Sequence, residues 1–175
     1  ADYGGPCRDL ILAYKDRGAV GLCGKLAEAL AVALLAAAAA ARGREPVIVP
    51  VPSSPAAIRE RGDDVMLLLA RRAAALARPT LGRVRVVPAL RQRRPVADSV
   101  GLGAAARAAN LDRALAVRPR ALPRLIGHPA VLVDDLVTTG ATLAEASRAL
   151  GEAGGCVIGA AAVAATRRHD RWQPH

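Results

Sequence analysis

The side chains best able to do chemistry are concentrated in one segment, Val131-Leu-Val-Asp-Asp-Leu-Val-Thr-Thr-Gly-Ala-Thr142. Two adjacent carboxylates, Asp134 and Asp135, close an apolar run. Val137, Thr138, Thr139, Gly140, Ala141 and Thr142 then put three hydroxyls and a glycine into the next turn, just ahead of a helical pattern. Successive backbone N–H groups at a helix N-terminus wrap a phosphate, helped by the positive end of the helix dipole. Gly140 lets the backbone come close to such a ligand. The carboxylates do not serve that phosphate, because like charges repel. A carboxylate pair instead accepts hydrogen bonds from vicinal hydroxyls, as on a ribose, so the implied ligand is a ribose 5-phosphate. An ordinary buried strand followed by an N-capping Thr explains one Asp and one Thr, but not the pair together with Thr-Thr-Gly-Ala-Thr.

A second segment, Val51-Pro52-Ser53-Ser54, follows a short apolar run just as the first loop does, and in the same sheet it faces the same crevice. Its main-chain donors and the hydroxyls of Ser53 and Ser54 suit an anion, with Arg59 or Arg61 adding charge. The same residues also fit a helix start, with Ser53 or Ser54 as the N-cap before Pro55. Both readings stand together, since a helix N-terminus is itself an anion site.

The elements that must position these loops follow from apolar spacing. Residues 6–41 read as two helices broken at Arg17-Gly18, and Val47–Val51 as a strand ended by Pro50 and Pro52. A helix is expected over Asp64–Ala77, a strand over Arg83–Ala89, a loop over Arg91–Gly103 and a helix over Gly103–Val117. A Pro-punctuated connection spans Pro119–Pro129. The strand Ala130–Val133, the helix Ala141–Ala153 and a last strand through Ala165 complete the pattern. Alternation of this kind predicts an α/β fold, a parallel sheet covered on both faces in one domain over residues 1–175. Ligands in such folds sit at the carboxyl ends of strands, where Asp134 and Asp135 fall.

Composition narrows the partners. At 175 residues and 53% hydrophobic, the chain makes one sizeable core. No charged n-region or apolar signal core opens the sequence, which predicts a cytoplasmic protein. The apolar run Ala29–Ala41 spans 13 residues, short of the roughly 18 that a membrane span needs, so no membrane partner is expected. Cys7, Cys23 and Cys156 form no Cys-x-x-Cys pair, which argues against a disulfide framework and a zinc site; Cys23 and Cys156 read as small core residues. The net charge of +10 is carried almost wholly by arginine, Lys15 and Lys25 being the only lysines. It suits a polyanion, either nucleic acid or a pyrophosphorylated sugar, or else it is a solvated surface. With no Phe and only Tyr3, Tyr14 and Trp172, base-stacking recognition is disfavoured, whereas contact with a DNA backbone needs only arginines.

The Val131–Thr142 segment closely resembles the signature of type I phosphoribosyltransferases. A second resemblance covers most of the chain: Tyr14-Lys-Asp-Arg-Gly18, Val47-Ile-Val-Pro-Val-Pro-Ser53, Arg59-Glu-Arg-Gly62 and Arg107-Ala-Ala-Asn110, in this order before the acidic pair, are similar to the competence-associated ComF family. Three departures stand out. Arg61-Gly62 is followed by Asp63-Asp64-Val65 where that family usually has Phe-Asn-Gln, Ser99-Val-Gly-Leu102 lacks the usual Gln, and the N-terminal zinc ribbon often found in members is absent.

The resemblance implies that Asp134 and Asp135 hold the ribose hydroxyls of phosphoribosyl pyrophosphate and that residues 137–142 hold its 5-phosphate. Residues 51–54 would meet the pyrophosphate. Arg91, Arg93 and Arg94 occupy the place of a mobile basic hood that closes over it, with a solvated basic turn as the bland alternative. Arg107 and Asn110, at i and i+3 on a helix, would brace the site. Mg²⁺ is the implied cofactor, with Asp134 and Asp135 as its protein ligands. The implied activity is phosphoribosyl transfer to or from a nitrogenous base, and the alternative is a non-catalytic accessory module acting on DNA or on a DNA-processing protein.

Overall fold

The computed structural model describes Ile11, Ala13 and residues 20–94 and 104–166. The expected first helix with Cys7 and the Tyr14–Gly18 motif, the Ser99 segment and the basic tail lie largely or wholly outside the described residues. Four parallel strands form the central sheet: β1 (Val47–Pro50), β2 (Arg85–Val86), β5 (Pro129–Val137) and β6 (Cys156–Ala165), in the order β2-β1-β5-β6. The chain leaves β1 towards β2 on one side and returns to β5 on the other. β1 and β5 therefore flank the topological switch point, where α/β sheets open a crevice at their carboxyl ends.

Helices cover both faces. On one, α1 (Cys23–Ala38) and α3 (Val65–Leu81) pack together over Ile48, Val131 and Val133. Helix α1 buries Cys23, Leu26, Ala27, Leu30, Ala31, Leu34 and Ala38, a stripe of helical period. It lies so close to β6 that a Cβ on Gly159 would sit 3.2 Å from the Ala37 carbonyl oxygen. With the 3-10 turn Ala39–Ala41, the run Cys23–Ala41 is 19 residues and passes the length and composition test for a membrane span, which the 13-residue alanine tract does not. Its buried stripe nevertheless belongs to the core. On the opposite face α6 (Ala141–Glu152) packs against Val49 and Leu132 through Ala146, Ala149 and Leu150.

The short helices α2 (Pro55–Arg61) and α5 (Leu122–Leu125) lie in connections. Beside the sheet, β3 (Leu90–Gln92) and β4 (Leu115–Val117) form an antiparallel pair next to α4 (Ala104–Leu111).

Five expectations are corrected. The strand placed at Arg83–Ala89 is only Arg85–Val86, because Val87 donates its last sheet bond to Ile48 and Pro88 has no N–H to continue the ladder. Arg91 and Gln92, expected in a loop, belong to β3. The helix placed at Gly103–Val117 ends at Leu111; Arg113 takes φ 49°, and Leu115–Val117 turns into a strand because β3 supplies a partner. The acidic pair does not follow its strand but lies within it, since β5 runs on to Val137. Cys156, at the start of edge strand β6, is exposed, whereas Cys23 is buried as expected.

Candidate active site

Proline sets the geometry at the switch point. Strand β1 pairs with β5 from Val47↔Ala130 to Pro50↔Val133, and Val51 donates one more bond to the Val133 carbonyl at 2.9 Å. Pro52 cannot donate, so β1 stops there. β5 continues against β6 alone, through Asp134↔Ala162 to Val137↔Ala165. Neighbouring strand residues ordinarily point to opposite faces. Here both carboxylates border one small cavity of about 190 Å³, because the strand's uncovered edge opens towards the turn after β1. Val51, Pro52, Ser53, Ser54 and Arg61 line it with Asp134 and Asp135, and Asp135 is buried. Arg61 thereby enters the acidic site, while Arg59 faces elsewhere.

The turn beyond β5 delivers the expected helix start. Gly140 is the N-cap of α6 at φ 79°, a left-handed conformation that a β-branched residue resists. No side chain caps this helix in the usual way, although Thr139 Oγ1 accepts from Ala141 N–H at 3.4 Å. The first N–H groups of a helix have no partner within it, so they converge on the half-buried turn of Thr138, Thr139 and Gly140. The end of β6 braces that turn: Thr166 N–H donates to the Val137 carbonyl at 2.9 Å, and its hydroxyl to the Thr138 carbonyl at 3.0 Å.

The two serines have structural work. Ser54 caps α2, its Oγ accepting from Ala57 N–H at 3.1 Å. Ser53 donates to Asp64 Oδ1 at 2.9 Å, and the same oxygen caps α3 by accepting from Leu67 N–H at 3.2 Å. The N-cap reading of Ser54 is therefore realised, and the donors this turn can offer an anion are the backbone N–H groups of Ser53 and Ser54. Asp64, an apparent departure in sequence, does what an Asn does equally well at an N-cap. Asp64→Ala should lower unfolding free energy by about 1–2 kcal/mol, whereas Asp64→Asn should stay within a few tenths. Urea denaturation of both variants checks this.

The basic hood segment stands on the other side of the 51–54 turn. Arg91 and Gln92 share a cavity of about 460 Å³ with Arg59, Arg118, Asp64 and Ser53. Arg93, Arg94, Arg59 and Ser54 border a neighbouring one of about 390 Å³. The acidic pair lines neither. Arg94 is not a loose lid residue: it donates to the carbonyls of Asn110 and Asp112 at 2.9 and 3.0 Å. Asn110 thus braces this segment through its backbone, whereas the side chain of Arg107 is outside the described residues. Arg118 is likewise engaged, with Nε donating to the Leu90 carbonyl at 3.2 Å. Nothing in the local sequence marks Arg118, which reaches the cavity only because β4 pairs with β3.

A family model for the phosphoribosyl transferase domain matches residues 16–175. The chain belongs to the phosphoribosyl transferase domain family. A search of curated proteins gives no match. The fold agrees with the family assignment: a single α/β domain with a parallel four-stranded sheet. In a phosphoribosyl transferase domain the arrangement amounts to three polar units at the carboxyl ends of β1 and β5. They are a carboxylate pair suited to hydroxyl donors, a helix N-terminus suited to phosphate, and a turn with arginines behind it suited to a second phosphate group. Among the described residues no three His, Cys, Asp or Glu side chains gather into a metal cage.

Proposed function

We propose that the chain is a ComF-like type I phosphoribosyltransferase that binds phosphoribosyl pyrophosphate and transfers its phosphoribosyl group to or from a nitrogenous base. The observation that carries this reading is the cavity shared by Asp134, Asp135 and residues 51–54, one turn away from the Gly140 helix start. The acidic pair takes the ribose hydroxyls, residues 137–142 the 5-phosphate, and the turn of residues 51–54 the pyrophosphate through the N–H groups of Ser53 and Ser54, since Val51 N–H is spent on Val133 and Pro52 has none. Arg59, Arg91 and Arg93 neutralise the pyrophosphate as it leaves. Reaction at the anomeric carbon builds oxocarbenium character, so the chain's residues contribute positioning and electrostatics rather than covalent chemistry.

Mg²⁺ suits this donor set. Two carboxylates beside a phosphate site, without a third protein ligand, are what a magnesium ion shared with substrate phosphates requires. When bound it neutralises phosphate charge, and Asp134 and Asp135 are the residues to hold it. The direct test is a screen of nucleobases for base-dependent release of pyrophosphate from phosphoribosyl pyrophosphate. Release without dependence on any base would leave hydrolysis rather than transfer.

A second reading, an accessory role on DNA, draws on the opposite end of the sheet. Because all four strands are parallel, the loops entering them meet at one edge. Arg78, Arg83 and Arg85 line a depression of about 640 Å³ there. Arg85 contacts His128 Nε2 at 2.7 Å, and Arg44 donates to the neighbouring Gly127 carbonyl at 2.6 Å. Among the described residues no carboxylate pairs with these four arginines. DNA bound there should show no sequence preference and a steep salt dependence. Replacing Arg78, Arg83 and Arg85 with Ala should flatten the log–log salt slope by about 3, since each phosphate contact contributes roughly 0.9. Titrating a labelled duplex at several salt concentrations measures it, and tight binding that ignores salt removes the electrostatic account.

A further inference from the structure

Among the described residues, strand β4 has a strand partner on only one edge. Its bonds to β3 are made around the pair Arg91↔Ala116, with Arg93 N–H donating to the Ala114 carbonyl and Arg118 N–H to the Ala89 carbonyl. In an antiparallel ladder the intervening residue, Leu115, turns its N–H and C=O to the far side. Two side chains of α6 meet them there. Glu145 Oε1 accepts from Leu115 N–H at 2.9 Å, and Arg148 donates to the Leu115 carbonyl at 3.3 Å. Glu145 and Arg148 are also joined to each other by a forked pair at 2.6 and 2.8 Å. The ion pair therefore takes the place of a neighbouring strand.

The surroundings show that this is a built feature. Glu145 is one of the two buried charged residues in the described core, the other being Asp135 of the acidic pair. Arg148 reaches Glu152 at 2.6 Å, and Glu152 reaches Arg113 at 3.7 Å, so three residues on one face of α6 grip the segment 113–115. Burial disfavours the Glu145 carboxylate and is the largest single influence on it. The hydrogen bonds from Arg148 and from Leu115 N–H, with the Arg148 charge, together outweigh it and hold its pKa below the ordinary 4.5. This stabilisation is present above the ordinary Glu range and is lost as pH falls through the lower folded value.

Helix α6 begins at the phosphate turn, and Glu145 lies little more than one turn along it. β4 in turn carries β3, on which Arg91 sits, with Arg93 next to it. We infer that Glu145 and Arg148 are positioning residues, which clamp the β3–β4 pair to the phosphate-loop helix so that Arg91 and Arg93 form a fixed wall at a set distance from the 5-phosphate site. The inference rests on the proposed function for the roles of those two sites. The clamp itself needs no ligand to be observed.

Amide hydrogen exchange of the unmodified chain and of Glu145→Ala, Arg148→Met and Glu145→Gln tests it. In the unmodified chain, Arg93 and Leu115 should exchange within about tenfold of Leu132 in β5. In Glu145→Ala and Arg148→Met they should exchange at least tenfold faster, with Val49 and Leu132 changed far less. Glu145→Gln, which keeps an acceptor for Leu115 but loses the charge, should fall between and covers the case in which the alanine variant does not fold.

Inorganic pyrophosphate should bind the clamp variants about tenfold more weakly, while ribose 5-phosphate stays within threefold. Fast exchange of Arg93 and Leu115 in the unmodified chain overturns the clamp, as does equal acceleration of Leu115 and Leu132. Unchanged pyrophosphate affinity in a loosened variant overturns the positioning role. Absence of any pyrophosphate binding to the unmodified chain would count against the proposed function instead, and the exchange rates still decide the clamp.

Discussion

Phosphoribosyl pyrophosphate with Mg²⁺ should raise the melting midpoint of this chain by about 5–10 °C when present at about 100 times its dissociation constant. Ligand linkage at that ratio contributes roughly 2.7 kcal/mol, and a domain of this length shifts by about 2–4 °C per kcal/mol. Two substitutions should abolish the shift by different routes. Asp134→Asn with Asp135→Asn preserves size at the 190 Å³ cavity and removes the charge proposed to receive the ribose hydroxyls. Gly140→Val acts on the backbone. A Cβ at this position meets no atom within 4 Å, so steric contact with the protein is not the problem. The problem is φ 79°, which a β-branched residue adopts only at a cost of about 1–2 kcal/mol or more, so the turn shifts and carries the helix N–H groups off the proposed phosphate site. Gly140→Val should therefore lower the ligand-free midpoint as well, whereas the Asn pair should not. Ribose 5-phosphate should give a smaller shift, lacking contacts at residues 51–54. If neither ligand moves the midpoint of the unmodified chain at millimolar concentration, the site is vestigial and the DNA-directed reading takes precedence.

What the sequence made legible was local. Val131–Val133 is a β-branched and leucine run that can only be buried, Gly140 marks a turn, and Ala141–Glu152 has helical spacing, so strand, loop and helix could be read without knowing any neighbour. The same holds for Ser54 before Pro55. What was not legible depended on partners distant in sequence. Leu115-Ala-Val continues an alanine-rich stretch, and alanine favours helix; it becomes a strand because Leu90–Gln92, more than twenty residues earlier, pairs with it. The same pairing hid Arg118, which enters the 460 Å³ cavity beside Arg91 only through it. The depth of the acidic pair was hidden for a similar reason. Local pattern ends the apolar run at Val133, but the main-chain bonds from β6 carry the strand on through Asp134 and Asp135. Serine chemistry shows the same limit: Ser53 has a hydroxyl in the right turn, and the fold commits it to Asp64.

Replacing Arg91 and Arg93 together with Ala should lower kcat by about 10²–10³ while leaving the affinity for ribose 5-phosphate within a few-fold. Charge placed where the leaving pyrophosphate develops its own acts in the transition state, and removal of one such donor costs about 10²–10³ in rate. Both residues are exposed, and each borders a cavity shared with Arg59. Arg94 should behave differently despite its adjacency. Its guanidinium holds the carbonyls of Asn110 and Asp112, so Arg94→Ala loosens the segment and lowers stability before it touches the chemistry. The distinction is read from steady-state kinetics beside a denaturation curve. The double variant should lose turnover at nearly unchanged midpoint, and Arg94→Ala should lose midpoint with a smaller rate effect. Equal rate loss in Arg91→Ala, Arg93→Ala and Arg94→Ala, each made singly, would mean that the segment closes as a mobile lid and not as a fixed wall. No rate loss in the double variant would return Arg91 and Arg93 to the solvated basic surface that the composition of the chain supplies in abundance, leaving Arg59 and the N–H groups of Ser53 and Ser54 to carry the pyrophosphate.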